Sequence, residues 1–182
     1  MKNKEDILKS WNIDKSWSLF LDRDGVINKR LIDDYVKTWE EFEFLLGSLK
    51  AISILAKIFN RIFIITNQRG IARKLMTEND LAEIHKKMLE IINEHGGRID
   101  SIYYCPHDRD DCSCRKPDVS MAHDAKKDFP DIQFEKSIII GDSDADIELG
   151  KRLDMKKVFI GESQNLNADL TFKSLCDFAI LL

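Results

Sequence analysis

Four short apolar runs constrain this chain more than anything else in it: Ser18–Leu21, Ile62–Ile65, Ser101–Tyr104 and Ser137–Ile140. Runs of that length, rich in isoleucine and aromatics, are too short for core helices and read as strands buried on both faces. The segments between them have helical spacing. After Gly47 the apolar positions Leu49, Ile52, Leu55, Ala56 and Phe59 recur on one face. Thr77 is placed as an N-cap with Asp80 three residues on, followed by Leu81, Ile84, Met88 and Ile91, and Gly96-Gly97 ends that helix. Further helices are expected over Ser120–Asp128, closed by Pro130, and from the Asp142–Asp146 cluster to about Leu153. A fifth strand is expected over Lys157–Ile160, and Phe178–Leu182 forms a last apolar stretch. Strand–helix alternation of this kind predicts an α/β fold, a doubly wound and mostly parallel sheet with helices on both faces.

Residues 29–46 show no helical period and read as a long connection whose Tyr35, Val36, Trp39, Phe42 and Phe44 cover part of the core. Residues 1–17 read as an amino-terminal extension, with a short helix over Lys4–Ser10 and with Trp11 and Trp17 packing on a main domain of residues 18–182. At 182 residues and 43% hydrophobic content, the chain has room for one substantial core. Twenty-eight basic residues against 32 acidic ones, a net charge of −4, argue against a nucleic-acid partner. No apolar run reaches the length of a membrane span, and Met1–Trp17 lacks the apolar centre of a secretory signal. The expectation is a cytoplasmic monomer with no membrane partner. Three of the four cysteines, Cys105, Cys112 and Cys114, fall within ten residues, which in a reducing compartment points to metal rather than disulfides.

In open parallel sheets, ligands sit beyond the carboxyl ends of the strands. Here four successive ends carry Asp22/Asp24, Thr66/Asn67, Arg115-Lys116 and Asp142/Asp146. Together these groups suit phosphoryl transfer through an aspartyl-phosphate. Asp22 attacks phosphorus, and Asp24 protonates the leaving oxygen and then deprotonates water. Mg²⁺, held by Asp22, the Asp24 carbonyl and Asp142, offsets the negative charge. Thr66 donates to the transferring oxygens, Lys116 supplies a compact positive charge, and Arg115 can fork onto the same or a second phosphate. Each station alone has a plainer reading. Asp-x-Asp-Gly is common turn chemistry, Thr66-Asn67 can simply end a strand, Lys116 can be a solvated loop residue, and one of Asp142, Asp144 and Asp146 can cap a helix. His85, His95 and His123 read as surface or packing residues on helices, and Cys176 as a core residue.

Taken together, Asp22-Arg23-Asp24-Gly25, Thr66-Asn67, Lys116 and Gly141-Asp142 through Asp146 resemble the haloacid dehalogenase-like phosphatases. Thr66-Asn67-Gln68, and Cys105-Pro106-His107 followed by Cys112-Ser113-Cys114-Arg115-Lys116-Pro117, resemble the branch holding heptose-bisphosphate and histidinol-phosphate phosphatases. The resemblance runs from about Leu19 to Ile160. It implies a capless enzyme whose loops wall the substrate, and a structural Zn²⁺ on Cys105, His107, Cys112 and Cys114, where three thiolates and an imidazole fill a tetrahedral site. The zinc loop, 105–114, leads straight into the phosphate-binding pair. Val26-Ile27-Asn28, Tyr35-Val36, Phe42-Glu43-Phe44 and Gly70-Ile71-Ala72-Arg73 look like the heptose members, which makes Asn28 and Arg73 candidate substrate contacts. Only four residues separate His107 from Cys112, more like the histidinol-phosphate type, and Arg69 and Lys74 stand where many heptose members have serine and glycine. The expected reaction is removal of the 7-phosphate from D-glycero-D-manno-heptose 1,7-bisphosphate, a phosphorylated sugar, in nucleotide-heptose synthesis for lipopolysaccharide or surface polysaccharide. Alternatives are a histidinol-phosphate phosphatase, a polynucleotide 3′-phosphatase, and a zinc-stabilised binding protein without catalysis.

Overall fold

The computed structural model describes residues 3–109 and 112–182; Met1, Lys2, Asp110 and Asp111, the last two within the expected zinc loop, lie outside the described residues. Six parallel strands form one sheet: β1 (Ser18–Leu21), β2 (Arg61–Asn67), β3 (Ser101–Cys105), β4 (Ser137–Gly141), β5 (Lys156–Ile160) and β6 (Leu170–Phe172). Their order is β3-β2-β1-β4-β5-β6, every pair parallel. The chain winds outward from β1 to β3, returns to the centre, and winds the other way from β4. The loops after β1 and β4 therefore diverge and open a crevice at the switch point.

Period-two alternation divides the buried strands between two cores. Leu19, Leu21, Ile62, Ile64, Ile138 and Ile140 face one core, and Phe20, Phe63, Ile65 and Ile139 face the other. The helices are α1 (Lys4–Ser10), α2 (Ser48–Ile58), α3 (Glu78–Glu94), α4 (Ser120–Asp128), α5 (Asp144–Arg152) and α6 (Leu175–Leu181). The larger core takes Ile52 and Leu55 of α2, Leu81, Ile84 and Met88 of α3, and Phe178 of α6. The smaller takes Met121, Ala122 and Ala125 of α4 and Leu149 of α5. Thr77 caps α3 in a reciprocal capping box with Asp80, and Gly96 ends that stretch at φ +75°. Among the described residues no helix is long and apolar enough to cross a membrane.

Four features depart from the sequence reading. β6, a three-residue edge strand, was not expected, because so short a run in a polar stretch carries no period. The carboxyl end reads as an apolar tail but forms α6 from Leu175. β2 and β3 run on to Asn67 and Cys105, so both residues sit on strand ends rather than beyond them. Within the long connection, Trp39–Glu41 makes a 3₁₀ turn that stacks Trp39 on Phe42, with ring centroids 5.1 Å apart. The amino-terminal segment is tied to the body. Leu8 and Trp17 belong to the larger core, and Lys4 Nζ donates to the Thr171 carbonyl of β6 at 2.5 Å.

Candidate active site

Leu21 is in register with Ile64 on one side and Ile140 on the other, so the chain leaves the centre of the sheet at Asp22. The Asp22 amide still donates to the Ile140 carbonyl at 2.9 Å. Its Oδ1 receives Lys116 Nζ at 2.8 Å and the Arg23 amide at 2.7 Å. The same ammonium reaches Asp146 Oδ1 at 2.6 Å and donates to the Ile65 carbonyl at 2.8 Å, which engages all three of its protons. Burial disfavours the charge on Lys116, but Asp146 and Asp22 outweigh it and raise the pKa, so the ammonium persists. Burial pushes the Asp22 carboxyl up to about 7; Lys116 pulls against the shift and the negative charge of Asp146 adds to it.

Asp24 is held by donors on both oxygens. Arg23 folds back as a fork, Nε to Oδ2 at 3.1 Å and Nη2 to Oδ1 at 2.9 Å. Asn28 Nδ2 adds a bond to Oδ1 at 2.9 Å and Gln68 Nε2 one to Oδ2 at 3.0 Å. Burial would raise this carboxyl, yet the Arg23 charge and these bonds hold it below its ordinary value. Behind Asp24 the chain turns at Gly25, φ +92°, where a Cβ would collide with the Asp142 carboxylate. Only glycine allows the β1 and β4 loops to approach this closely.

Asp142 Oδ2 pairs with Arg30 Nη1 at 3.2 Å, and burial raises its pKa. Asp22, Asp142 and Asp146 offer carboxylate oxygens within 4.8 Å of one another, a hard-oxygen set of the kind that suits Mg²⁺. Asp146 is fully committed elsewhere, with one oxygen on Lys116 and the other receiving Ser143 Oγ at 2.5 Å and the Ser143 amide at 3.2 Å. Asp22 and Asp142 line the cavity and Asp146 does not, so a cation would take the first two. The helix-capping part assigned to an aspartate is thus shared: Ser143 stands at the N-cap of α5 and Asp146 bonds back to it.

Thr66 is buried with its Oγ1 accepting from Gln68 Nε2 at 2.8 Å. Asn67 clasps the Lys116 backbone, Oδ1 accepting its amide at 3.0 Å and Nδ2 donating to its carbonyl at 3.3 Å. Arg115 lines the cavity, and its Nη1 is buried without a hydrogen-bond partner among the described residues. Two expected substrate contacts lie away from the cavity lining. Asn28 is fully buried and outside the cavity lining, because the tight turn aims its side chain back at Asp24. Arg73 is exposed on the turn after β2 and does not line the cavity.

The Cys105 Sγ, Cys112 Sγ, Cys114 Sγ and His107 Nδ1 atoms converge, with sulfur–sulfur distances of 2.9–3.4 Å and His107 Nδ1 3.1 Å from Cys114 Sγ. All four cysteines are free thiols. A tetrahedron with Zn–S bonds of about 2.3 Å has edges of about 3.8 Å, so this cluster is compact enough to close around one ion. Arg69 pairs with Asp108, tying the turn after β2 to this loop.

Sequence reasoning missed Gln68, Arg30, Arg109 and the roles of Arg23 and Asp146. In the sequence, Gln68 and Arg23 stand out only as motif positions. Arg30 and Arg109, both lining the cavity, lie in segments without a pattern.

The family model described as "Polynucleotide kinase 3 phosphatase" matches residues 19–174. A D-glycero-alpha-D-manno-heptose-1,7-bisphosphate 7-phosphatase of Mycobacterium bovis is 37% identical over 171 residues, 90% of each chain. A D-glycero-beta-D-manno-heptose-1,7-bisphosphate 7-phosphatase of Neisseria meningitidis serogroup A is 40% identical over 131 residues, 71% of this chain and 69% of that one. The crystal structure of D,D-heptose 1,7-bisphosphate phosphatase from B. bronchiseptica, complexed with magnesium and phosphate, matches with a TM-score of 0.81 at 30% identity, covering 90% of this chain and 96% of that one. With similarity over nine-tenths of its length and these carboxylates gathered at the switch point of its sheet, the chain belongs to the haloacid dehalogenase-like phosphatases, within the heptose-1,7-bisphosphate 7-phosphatase family, and is a phosphoric monoester hydrolase.

Proposed function

We propose that the protein removes the 7-phosphate of D-glycero-D-manno-heptose 1,7-bisphosphate, in the synthesis of nucleotide-activated heptose for lipopolysaccharide or another surface polysaccharide. The observation that carries this reading is a cavity of about 340 Å³ whose lining sets Lys116 and four arginines, Arg23, Arg30, Arg109 and Arg115, against the carboxylates Asp22, Asp24, Asp34 and Asp142, with Arg30, Arg109 and Arg115 lying beyond the Arg23–Asp24 fork. One phosphate occupies the carboxylate–lysine station. A second anion gives the arginines a partner, above all the buried Nη1 of Arg115. Histidinol phosphate, with one phosphate and an amine, has no use for so much positive charge.

In this reading Asp22 attacks phosphorus while Asp24 gives its proton to the departing sugar oxygen, leaving an aspartyl-phosphate. Water then attacks, with Asp24 taking its proton. The Arg23 fork holds Asp24 as a carboxylate, the form the second step requires; in the first step the protonated side chain exchanges that fork for the leaving oxygen. Lys116 keeps Asp22 oriented, and Thr66 and the amides after it donate to the phosphoryl oxygens. Asp22, the Asp24 carbonyl and Asp142 would hold Mg²⁺, whose positive charge would let a carboxylate approach a phosphate dianion. Cys105, His107, Cys112 and Cys114 would hold a structural Zn²⁺ that would brace Arg115-Lys116. Four free thiols fit a reducing compartment, and we read the enzyme as a cytoplasmic monomer.

Phosphorus NMR of turnover with and without added Mg²⁺ tests this. The 7-phosphate signal is expected to be replaced by free phosphate, only when Mg²⁺ is present, while the 1-phosphate stays; loss of the 1-phosphate refutes the assignment. The matching family model favours a second reading, a polynucleotide 3′-phosphatase. The net charge of −4 opposes it, and phosphate release from a 3′-phosphorylated oligonucleotide decides the matter.

A further inference from the structure

We infer that His85, on α3 and outside the cavity lining, is a positioning residue for Asp24, acting through Arg23. His85 is buried, and its Nε2 lies 3.2 Å from Arg23 Nη1. A guanidinium has five N–H donors and no acceptor, so this contact exists only if Nε2 is unprotonated and accepts. His85 is therefore neutral with its proton on Nδ1. His85 also borders a surface groove shared with Lys86 and Asp100. The ring is also fixed edge-on against Tyr104, with centroids 6.2 Å apart.

The arrangement satisfies every arm of a side chain that is only 1% exposed. Arg23 Nε and Nη2 grip the two oxygens of Asp24, Nη2 also reaches Gln68 Oε1 at 3.3 Å, and Nη1 is left to His85. Rotating the guanidinium plane would swing the Asp24 carboxylate away from the water it has to deprotonate. The imidazole prevents that rotation from the far side of the fork. His85 touches neither phosphate nor cation in this arrangement; it sets where the base points.

The inference rests on Asp24 being the proton-transfer group, and the experiment separates the two. With 2,4-dinitrophenyl phosphate the leaving group needs no acid, so the burst phase reports attack by Asp22 and the slower phase reports hydrolysis of the phosphoenzyme by Asp24 and water. General acid–base groups contribute about 10²–10⁴-fold, so a mispositioned one should forfeit about tenfold or more. His85→Leu is expected to slow the second phase by about tenfold or more and to accumulate phosphoenzyme, while the burst rate changes by less than about threefold. His85→Gln, which keeps an acceptor, is expected to recover most of the loss. Equal slowing of both phases, or no change in either, overturns the inference. If Asp24→Asn itself leaves the slow phase untouched, the reading of Asp24 fails; if Asp24→Asn slows it and His85→Leu does not, only the inference about His85 fails. Nitrogen NMR on histidine-labelled wild type holds even if the leucine variant does not fold. The His85 signal, assigned by its loss in His85→Gln, is expected to show a bare Nε2, and a protonated Nε2 overturns the proposal.

Discussion

At the scale of single residues, the site is an exercise in burying charge without orphaning it. Lys116 carries two carboxylates, and removing it leaves Asp22 and Asp146 facing each other without a counter-charge in a largely buried site. Lys116→Met is therefore expected to lower unfolding free energy by about 3–5 kcal/mol, read from urea melts, as well as to remove activity. Asp22→Asn changes little in shape and takes away only the proposed nucleophile. It should reduce kcat on the order of 10³-fold or more while circular dichroism stays unchanged, and retained turnover would contradict the assignment. His85 gives a pH signature. Burial, with Arg23 adding its charge and Asp24 opposing, depresses its imidazole to about 3 from an ordinary 6.5. Between those values the unfolded chain binds a proton that the folded protein refuses. Stability from this source is full above pH 6.5 and is lost as pH falls toward 3. The urea midpoint of wild type should drop more between pH 7 and pH 4.5 than that of His85→Gln, whose side chain does not titrate there; equal drops would contradict it.

At the scale of elements, two helix amino termini built alike do different work. Thr77 and Asp80 cap α3 reciprocally, and Ser143 and Asp146 do the same for α5, but Asp146 also holds Lys116. Thr77→Ala and Ser143→Ala are each expected to cost about 1 kcal/mol in unfolding free energy, with kcat lowered only by the second. The loop that carries Cys105, His107, Cys112 and Cys114 is the third element with a testable part. Elemental analysis is expected to give about one zinc per chain, lost in Cys112→Ser together with activity, because the same loop delivers Lys116. This scale also shows where the sequence was legible. Continuously apolar runs announced β1, β2 and β4, since burial on both faces leaves no alternation to misread. The Thr77 cap was visible because capping chemistry is local. β6 was invisible because three residues carry no period, and its place at the sheet edge depends on β5. Asp22, Asp24, Asp142 and Lys116 could be placed from strand ends alone. The positions of Asn28, Arg73 and His85 could not, since each depends on a side-chain direction that spacing does not encode. Asn28 looked like a substrate contact and turned inward; His85 looked like packing and reached Arg23.

At the scale of the molecule, the strand order explains why one edge of the sheet carries the chemistry. Winding reverses between β1 and β4, and the gap it opens is where Asp22, Asp24 and Asp142 meet. Two loops bring the arginines: Arg30 after β1, and Arg109 and Arg115 after β3. That distribution of charge over separate loops is what makes the cavity suit a doubly phosphorylated sugar rather than any phosphate ester. The direct test is kcat/KM for heptose 1,7-bisphosphate, in both anomers, measured beside histidinol phosphate with Mg²⁺ present. A preference of about 100-fold or more for the bisphosphate is expected, since a buried guanidinium N–H left without its anion costs on the order of 3 kcal/mol. A preference for histidinol phosphate would contradict it.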